Sequence, residues 1–115
     1  MVEYKKELVF SRSYTTSVNI AAGVLSSENI ITQEDINQHA PFDTIVILNS
    51  DSVALGFLFD RNPNNMIPIP ANNGSVATEN QKFSDFTLKN LDAAAEHTAG
   101  KIYILIQKFK YVRID

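Results

Sequence analysis

The chain has 115 residues, 44% of them hydrophobic and 20% charged, and its formal net charge is −3. This balance is typical of a globular protein of one domain, and it excludes the disordered and fibrous classes. The absence of cysteine excludes disulfides and thiolate metal sites, and the acidic balance argues against a nucleic-acid partner.

The N-terminal residues predict strands and then one short helix. Residues 2–10 alternate between apolar and polar side chains, which indicates a half-buried strand, and two weaker strands are predicted at 15–20 and 24–31. Residues 33–39 predict a helix that bridges two layers of sheet. Its boundaries are set by Thr32 as the N-cap, with Asp35 in the first turn, and by Pro41, which stops a helix at or before Ala40.

The stretch DTIVILNSDSVALGFLF, residues 43–59, contains two apolar runs separated by the polar residues NSDS. We predict strands at 43–49 and 53–59, joined as a hairpin by this turn. Neither run alternates with polar residues. Each strand therefore has apolar side chains on both faces, and the second face needs a cover.

The rest of the chain predicts further strands and turns. MIPIP (66–70) is expected at the edge or end of a sheet, because its two prolines donate no ladder hydrogen bonds. In the turn ANNG (71–74), Gly74 is expected to supply a positive φ. The remaining predicted segments are strands at 75–79, 83–89 and 101–109, a short helical turn and loop at 90–100, and an extended C-terminal arm at 108–115.

About eight or nine short strands separated by frequent turns, with little helix, predict an all-β fold. We expect a single domain over residues 1–115, an antiparallel β-sandwich of the jelly-roll-like kind. No stretch approaches the roughly 20 apolar residues of a membrane helix, and the N-terminus does not resemble a signal peptide. The chain is accordingly expected to be soluble, with no membrane partner.

Candidate chemical motifs are few. Asp60, Asn62 and Asn64 have the D-x-N-x-N spacing of a calcium loop, but Asn65 and Ala71 stand where its glycine and its final acid belong, so we predict a plain turn.

The histidines do not predict a metal site. His39 shares a helix face with Asp35, and His97 follows Glu96, which leaves too few ligands for a metal, and both histidines are expected at the surface. No nucleophile elbow and no phosphate-binding glycine loop occurs. We therefore predict no catalytic, cofactor-binding or metal-binding residues, and no enzyme.

Carbohydrate binding is the alternative function. Tyr14, Tyr103 and Tyr111 are expected to be exposed, and exposed aromatic rings can stack on sugars, although the chain has no tryptophan. The amides that could flank them are Asn62, Asn64, Asn65, Asn72 and Asn73.

Three segments carry a resemblance to a known class of protein: Phe42 to Ser50, Pro68 to Gly74, and Gly100 to Ile104. Over about residues 17–107 the chain resembles small β-sandwich virion proteins of bacteriophages, of the decoration, minor capsid or spike-base type. The resemblance implies a structural role in the virion, homo-oligomeric assembly beside other virion proteins, and no cofactor. It transfers no functional residue.

Parity along the strands predicts a second apolar face beside the core. Its residues are Val46, Leu48, Ala54, Leu58, Tyr103 and Leu105. If adjacent, they form an apolar patch of roughly a few hundred Å², which is typical of an interaction surface. We predict that another copy of the chain covers it, with a trimer as the first expectation. The alternative is that residues 24–40 or the C-terminal tail cover it.

Overall fold

A computed structural model describes residues 2–59, 66–79 and 81–114 and shows a mostly β chain. The elements in this part of the chain are the strands β1 (Glu3–Tyr14), β2 (Thr44–Asn49), β3 (Leu55–Phe59), β4 (Met66–Ile69), β5 (Gly74–Thr78), β6 (Phe86–Asn90) and β7 (Ile102–Ile114), and the helix α1 (Gln33–His39). They form two antiparallel sheets, with strand orders β1-β7-β2-β5 and β4-β3-β6. The all-β prediction is confirmed, with seven strands among the described residues instead of eight or nine.

Both sheets contribute to one hydrophobic core. The inward positions of the four-stranded sheet are fully or almost fully buried isoleucines: Ile45, Ile47, Ile102, Ile104 and Ile106. Leu55, Phe57 and Leu88 of the three-stranded sheet belong to the same cluster. These are the bulky rows that period-two alternation assigns to one face of each strand.

The predicted helix and both of its boundaries are confirmed. The hydroxyl of Thr32 accepts a hydrogen bond from the backbone N–H of Asp35 at 3.2 Å, which satisfies one of the unpaired donors of the first turn. The helix ends at Ala40, directly before Pro41. Ile36 packs against the hydrophobic core, so this side of the helix faces the core.

The predicted hairpin between residues 43–49 and 53–59 is wrong. β2 and β3 belong to different sheets, so the turn NSDS carries the chain from one sheet to the other. The buried side chain of Asn49 fixes this corner, since its amide donates to the carbonyl oxygens of Val53 at 2.8 Å and Pro70 at 3.3 Å. The two apolar strands therefore contribute side chains to the same hydrophobic core from two separate sheets.

Three weaker predictions are also wrong, the last of them only in part. Residues 15–20 and 24–31 form no strand and contribute only single bridges, at Ile20 and Leu25. Of the short helical turn and loop predicted at 90–100, the helical turn is absent and the loop is confirmed. Asp92 instead accepts hydrogen bonds from the backbone N–H groups of Ala94 and Ala95, which folds this stretch as a polar loop.

β1 and β7 are much longer than the other strands and pair along almost their whole length. β2 accompanies β7 only from Ile102 to Gln107. The distal halves of the two long strands, residues 3–8 and 109–114, therefore form a two-stranded ribbon, which we call the arm. The molecule is correspondingly elongated, with extents of 57 × 26 × 25 Å.

Candidate interaction surface

The outer face of the four-stranded sheet carries two apolar cross-strand pairs. Val46 lies opposite Leu105, and Leu48 lies opposite Tyr103, on the adjacent strands β2 and β7. Val46 is 37% exposed, Leu48 36% and Tyr103 60%. Because side chains on one face of paired strands are direct neighbours, these four residues form one continuous patch, which we call the outer-face patch.

Small side chains border the outer-face patch on both sides. On β5, Ala77 lies opposite Val46 and Ser75 lies opposite Leu48. On β1, Ser13 lies opposite Leu105. Residues this small leave the sides of the larger apolar groups accessible, so a flat partner surface can approach the patch.

Four of the six residues predicted to form the second apolar face lie together on the four-stranded sheet, and the other two do not. Ala54 and Leu58 lie outside the four-stranded sheet: Ala54 immediately precedes β3, and Leu58 is within β3 in the other sheet. Leu58 is only 5% exposed, which corrects the expectation that it is open to solvent. Met66 lies opposite it on β4, and its side chain extends over the neighbouring Gly56.

The segments expected as alternative covers lie elsewhere. Helix α1 packs Ile36 against the core, and the C-terminal part of β7 is paired with β1. Val46, Leu48 and Tyr103 are exposed and Leu105 is half-buried, so no described segment covers the outer-face patch as a whole.

His97 is fully buried, so the expectation of a surface histidine is wrong. Its Nε2 lies 2.8 Å from Oδ1 of Asn49, while its Nδ1 has no hydrogen-bond partner among the described residues. Burial lowers the pKa of His97, and the nearby Asp51 carboxylate only partly opposes this shift. Burial alone raises the pKa of Asp51, but the backbone N–H groups of Thr98 and Ser52 donate to its carboxylate and lower it overall.

A second buried polar cluster joins α1 to β1. Asp35 accepts two hydrogen bonds from Nη1 of Arg12, at 2.7 and 2.8 Å, and one from the hydroxyl of Tyr14 at 2.7 Å. Burial alone raises the pKa of Asp35, but these donors hold it below its usual value. Burial and the bond to Asp35 raise the pKa of Tyr14. Tyr14 is half-buried and therefore is not the exposed aromatic that was predicted.

The residues considered for metal and sugar binding fall partly outside the described part of the chain. Asp60, Asn62, Asn64 and Asn65 lie outside the described residues, and no group of three metal-ligating side chains occurs among the residues that are described. His39 stacks on Phe10, with ring centroids 4.1 Å apart. Tyr103 and Tyr111 are exposed as predicted, and Asn72 and Asn73 form the exposed turn before β5.

A cleft of about 650 Å³ lies on the outer side of the three-stranded sheet. Its apolar lining comes from Leu25, Leu58, Met66 and Phe86, and its polar lining includes Ser26, Asn29 and Lys89. No feature of the sequence predicted it, because residues 23–29 reach the strands only through tertiary contacts.

Comparison with protein families, with curated proteins and with solved structures gives no match for this chain. Within the described ranges, no helix has the length and apolar character needed to cross a membrane.

Proposed function

We propose that this protein is a non-enzymatic structural subunit that associates with copies of itself through the outer-face patch. The observation that carries the proposal is the pairing of Val46 with Leu105 and of Leu48 with Tyr103 on an uncovered sheet face. A sheet that buries one face normally carries polar side chains on the other. Burial of these apolar side chains against a partner stabilises the complex by about 25 cal/mol for each Å² of apolar surface removed from water.

The fold proposed for this subunit is a β-sandwich of the jelly-roll-like kind. Two antiparallel sheets that share one core are consistent with it. The proposed setting is a bacteriophage virion, where the subunit acts as a decoration or minor capsid component beside other virion proteins. The support for this setting is the resemblance of residues 17–107 to such proteins.

Light scattering coupled to size exclusion tests the association. We expect a multiple of 12.8 kDa, with a trimer formed through the outer-face patch as the first expectation. Leu48→Lys and Leu105→Lys each place a charge within the patch and should lower the mass while leaving the far-ultraviolet circular dichroism spectrum unchanged.

The matched control is Leu25→Lys, which adds the same charge at an exposed leucine of the cleft, away from the outer-face patch. It should leave the mass unchanged. A wild-type monomer at tens of micromolar, or a mass unaffected by both patch variants, contradicts the proposal.

The second candidate function is a carbohydrate- or receptor-binding module, and two observations favour it. Tyr103 is 60% exposed, and the cleft combines apolar and hydrogen-bonding side chains. A glycan array separates the two functions, with Tyr103→Ala as one variant and Lys89→Ala in the cleft as the other. Specific glycan binding that either variant abolishes supports the module, and an array without binding supports the structural subunit.

A further inference from the structure

The arm exposes an unpaired strand edge. β1 is the last strand of its sheet, with β7 on one side only. No described residue forms a backbone hydrogen bond to the other edge of β1 between Glu3 and Tyr14. Such an edge presents a row of free N–H and C=O groups to any strand that fits it.

The arm also lacks a core of its own. Tyr4 is 62% exposed, Leu8 54%, Tyr111 64% and Ile114 48%. A ribbon of two strands without a covering layer is marginally stable in water, whereas three or more strands with an apolar face are stable. Adding strands to the free edge therefore stabilises the arm.

We propose that β1 pairs antiparallel with β1 of a second copy, around a two-fold axis at Lys6. The two arms then form one four-stranded sheet with the order β7-β1-β1-β7. In this register Lys5 of each copy lies opposite Glu7 of the other, and Tyr4 lies opposite Leu8. The interface is isologous, so each contact occurs twice.

Charge selects this register over its neighbours. A shift by two residues in one direction places Glu3 opposite Glu7 and Lys5 opposite Lys5, and a shift in the other direction places Glu7 opposite Glu7. Like charges directly opposite each other destabilise a strand pair, whereas Lys–Glu pairs stabilise it. The proposed register has one like-charge pair, Lys6 with Lys6 on the axis, but it alone among the three also gives two Lys–Glu pairs. It aligns residues 3–9 of each strand, and Val9 lies at the irregularity of β1 between Leu8 and Phe10.

The two lysines of the edge are arranged so that they do not block this pairing. Lysines on an edge strand commonly prevent association. Here Nζ of Lys5 and Nζ of Lys110 each lie 3.9 Å from the Glu7 carboxylate. Nζ of Lys6 lies 4.2 Å from the ring centroid of Phe109, which is on β7. Lys6 is thus drawn away from the free edge and from its counterpart on the axis.

A charge-swap experiment tests the pairing, carried out in the Leu48→Lys background so that association through the outer-face patch does not contribute. Lys5→Glu alone and Glu7→Lys alone each create two repulsive pairs in a homodimer, and each should raise the dissociation constant about tenfold or more. An equimolar mixture of the two chains restores two attractive pairs and should form heterodimers. Single variants that still dimerise as tightly as the parent chain, or a mixture that stays monomeric, overturn the proposal.

Cysteine cross-linking tests the register, because the chain contains no cysteine of its own. Lys6→Cys places two thiols across the axis and should give disulfide-linked dimers under mild oxidation. Ser13→Cys, on the same strand but beyond the aligned residues, should not. Equal cross-linking of both variants, or none at residue 6, overturns the proposed register. Loss of the larger assembly in the Leu48→Lys chain with the arm cross-link retained would show that the two interfaces are separate.

Discussion

Nδ1 of His97 lies 3.9 Å from Oδ2 of Asp51 inside the protein, and no hydrogen bond joins the two atoms. The carboxamide oxygen of Asn49 can only accept, so Nε2 of His97 carries the proton of the neutral ring. Nδ1 then presents a lone pair towards a carboxylate. The folded protein thus holds His97 neutral, although an ion pair with Asp51 would form if the ring were charged.

We expect the folded state to lose stability as the pH falls below about 6.5. The pKa of His97 is lower in the folded protein than its ordinary value of 6.5, because the ring is buried. Between these two values the unfolded chain binds a proton that the folded chain does not, so the free energy of unfolding decreases as the pH falls. Thermal unfolding between pH 7.5 and pH 5, values roughly one unit above and roughly 1.5 units below the ordinary histidine pKa, measures this slope.

The two histidines provide matched variants for this measurement. His97→Gln keeps a donor to Asn49 and should flatten the slope, whatever its effect on stability at neutral pH. His39→Gln makes the same substitution at the partly exposed ring that stacks on Phe10, and comparison of the two variants isolates the effect of the buried ring. A slope that survives in His97→Gln means that other groups cause it.

Asp35→Asn should destabilise the protein by about 2 kcal/mol at pH 7, since it removes the charged acceptor shared by Arg12 and Tyr14. The figure is below that of a fully buried ion pair because the side chain of Arg12 is 56% exposed. The depressed pKa of Asp35 also contributes stability above its unfolded value, near 3.8, which is lost as the pH falls through the folded value. Urea denaturation at several pH values measures both effects.

Glu34→Gln is the control for the charge change. It removes the same charge from the same helical turn, but Glu34 is exposed. We expect its effect to stay within about 0.5 kcal/mol. Equal losses for the two variants would mean that the helix terminus, and not the buried cluster, accounts for the effect.

Gly74→Ala should destabilise the protein by about 3 kcal/mol, because a Cβ there meets the backbone of Pro70, 2.6 Å from its carbonyl carbon. Gly56→Ala is the matched comparison. A Cβ at Gly56 meets Sδ and Cγ of Met66, at 2.6 and 2.8 Å, and this flexible side chain can rotate away. Chemical denaturation should therefore show the larger loss for Gly74→Ala, and the reverse order would contradict the close approach of the backbone at Pro70.

The turn at residues 71–74 shows where sequence reasoning identified a turn but misassigned its conformation. Gly74 was predicted to supply the positive φ. In the structure Asn72 and Asn73 have φ values of 57° and 71°, and Gly74 begins β5. Asparagine tolerates the left-handed region, so composition alone did not distinguish the positions. The glycine is required instead by the neighbouring strand end at Pro70, a contact that is not visible in the local sequence.

Local patterns in the sequence determined the β-rich class, the helix at 33–39 with its Thr32 cap, the edge position of the proline-rich strand, and the apolar character of the rows containing Leu48 and Tyr103. These features depend on backbone periodicity and on hydrogen bonds between residues close in sequence. Only the tertiary structure decided that β2 and β3 separate into two sheets, that the first and last strands pair as an arm, and that His97 is buried. Each of these depends on contacts between residues far apart in the chain. The free energy of such contacts cannot be read from any short segment of the sequence.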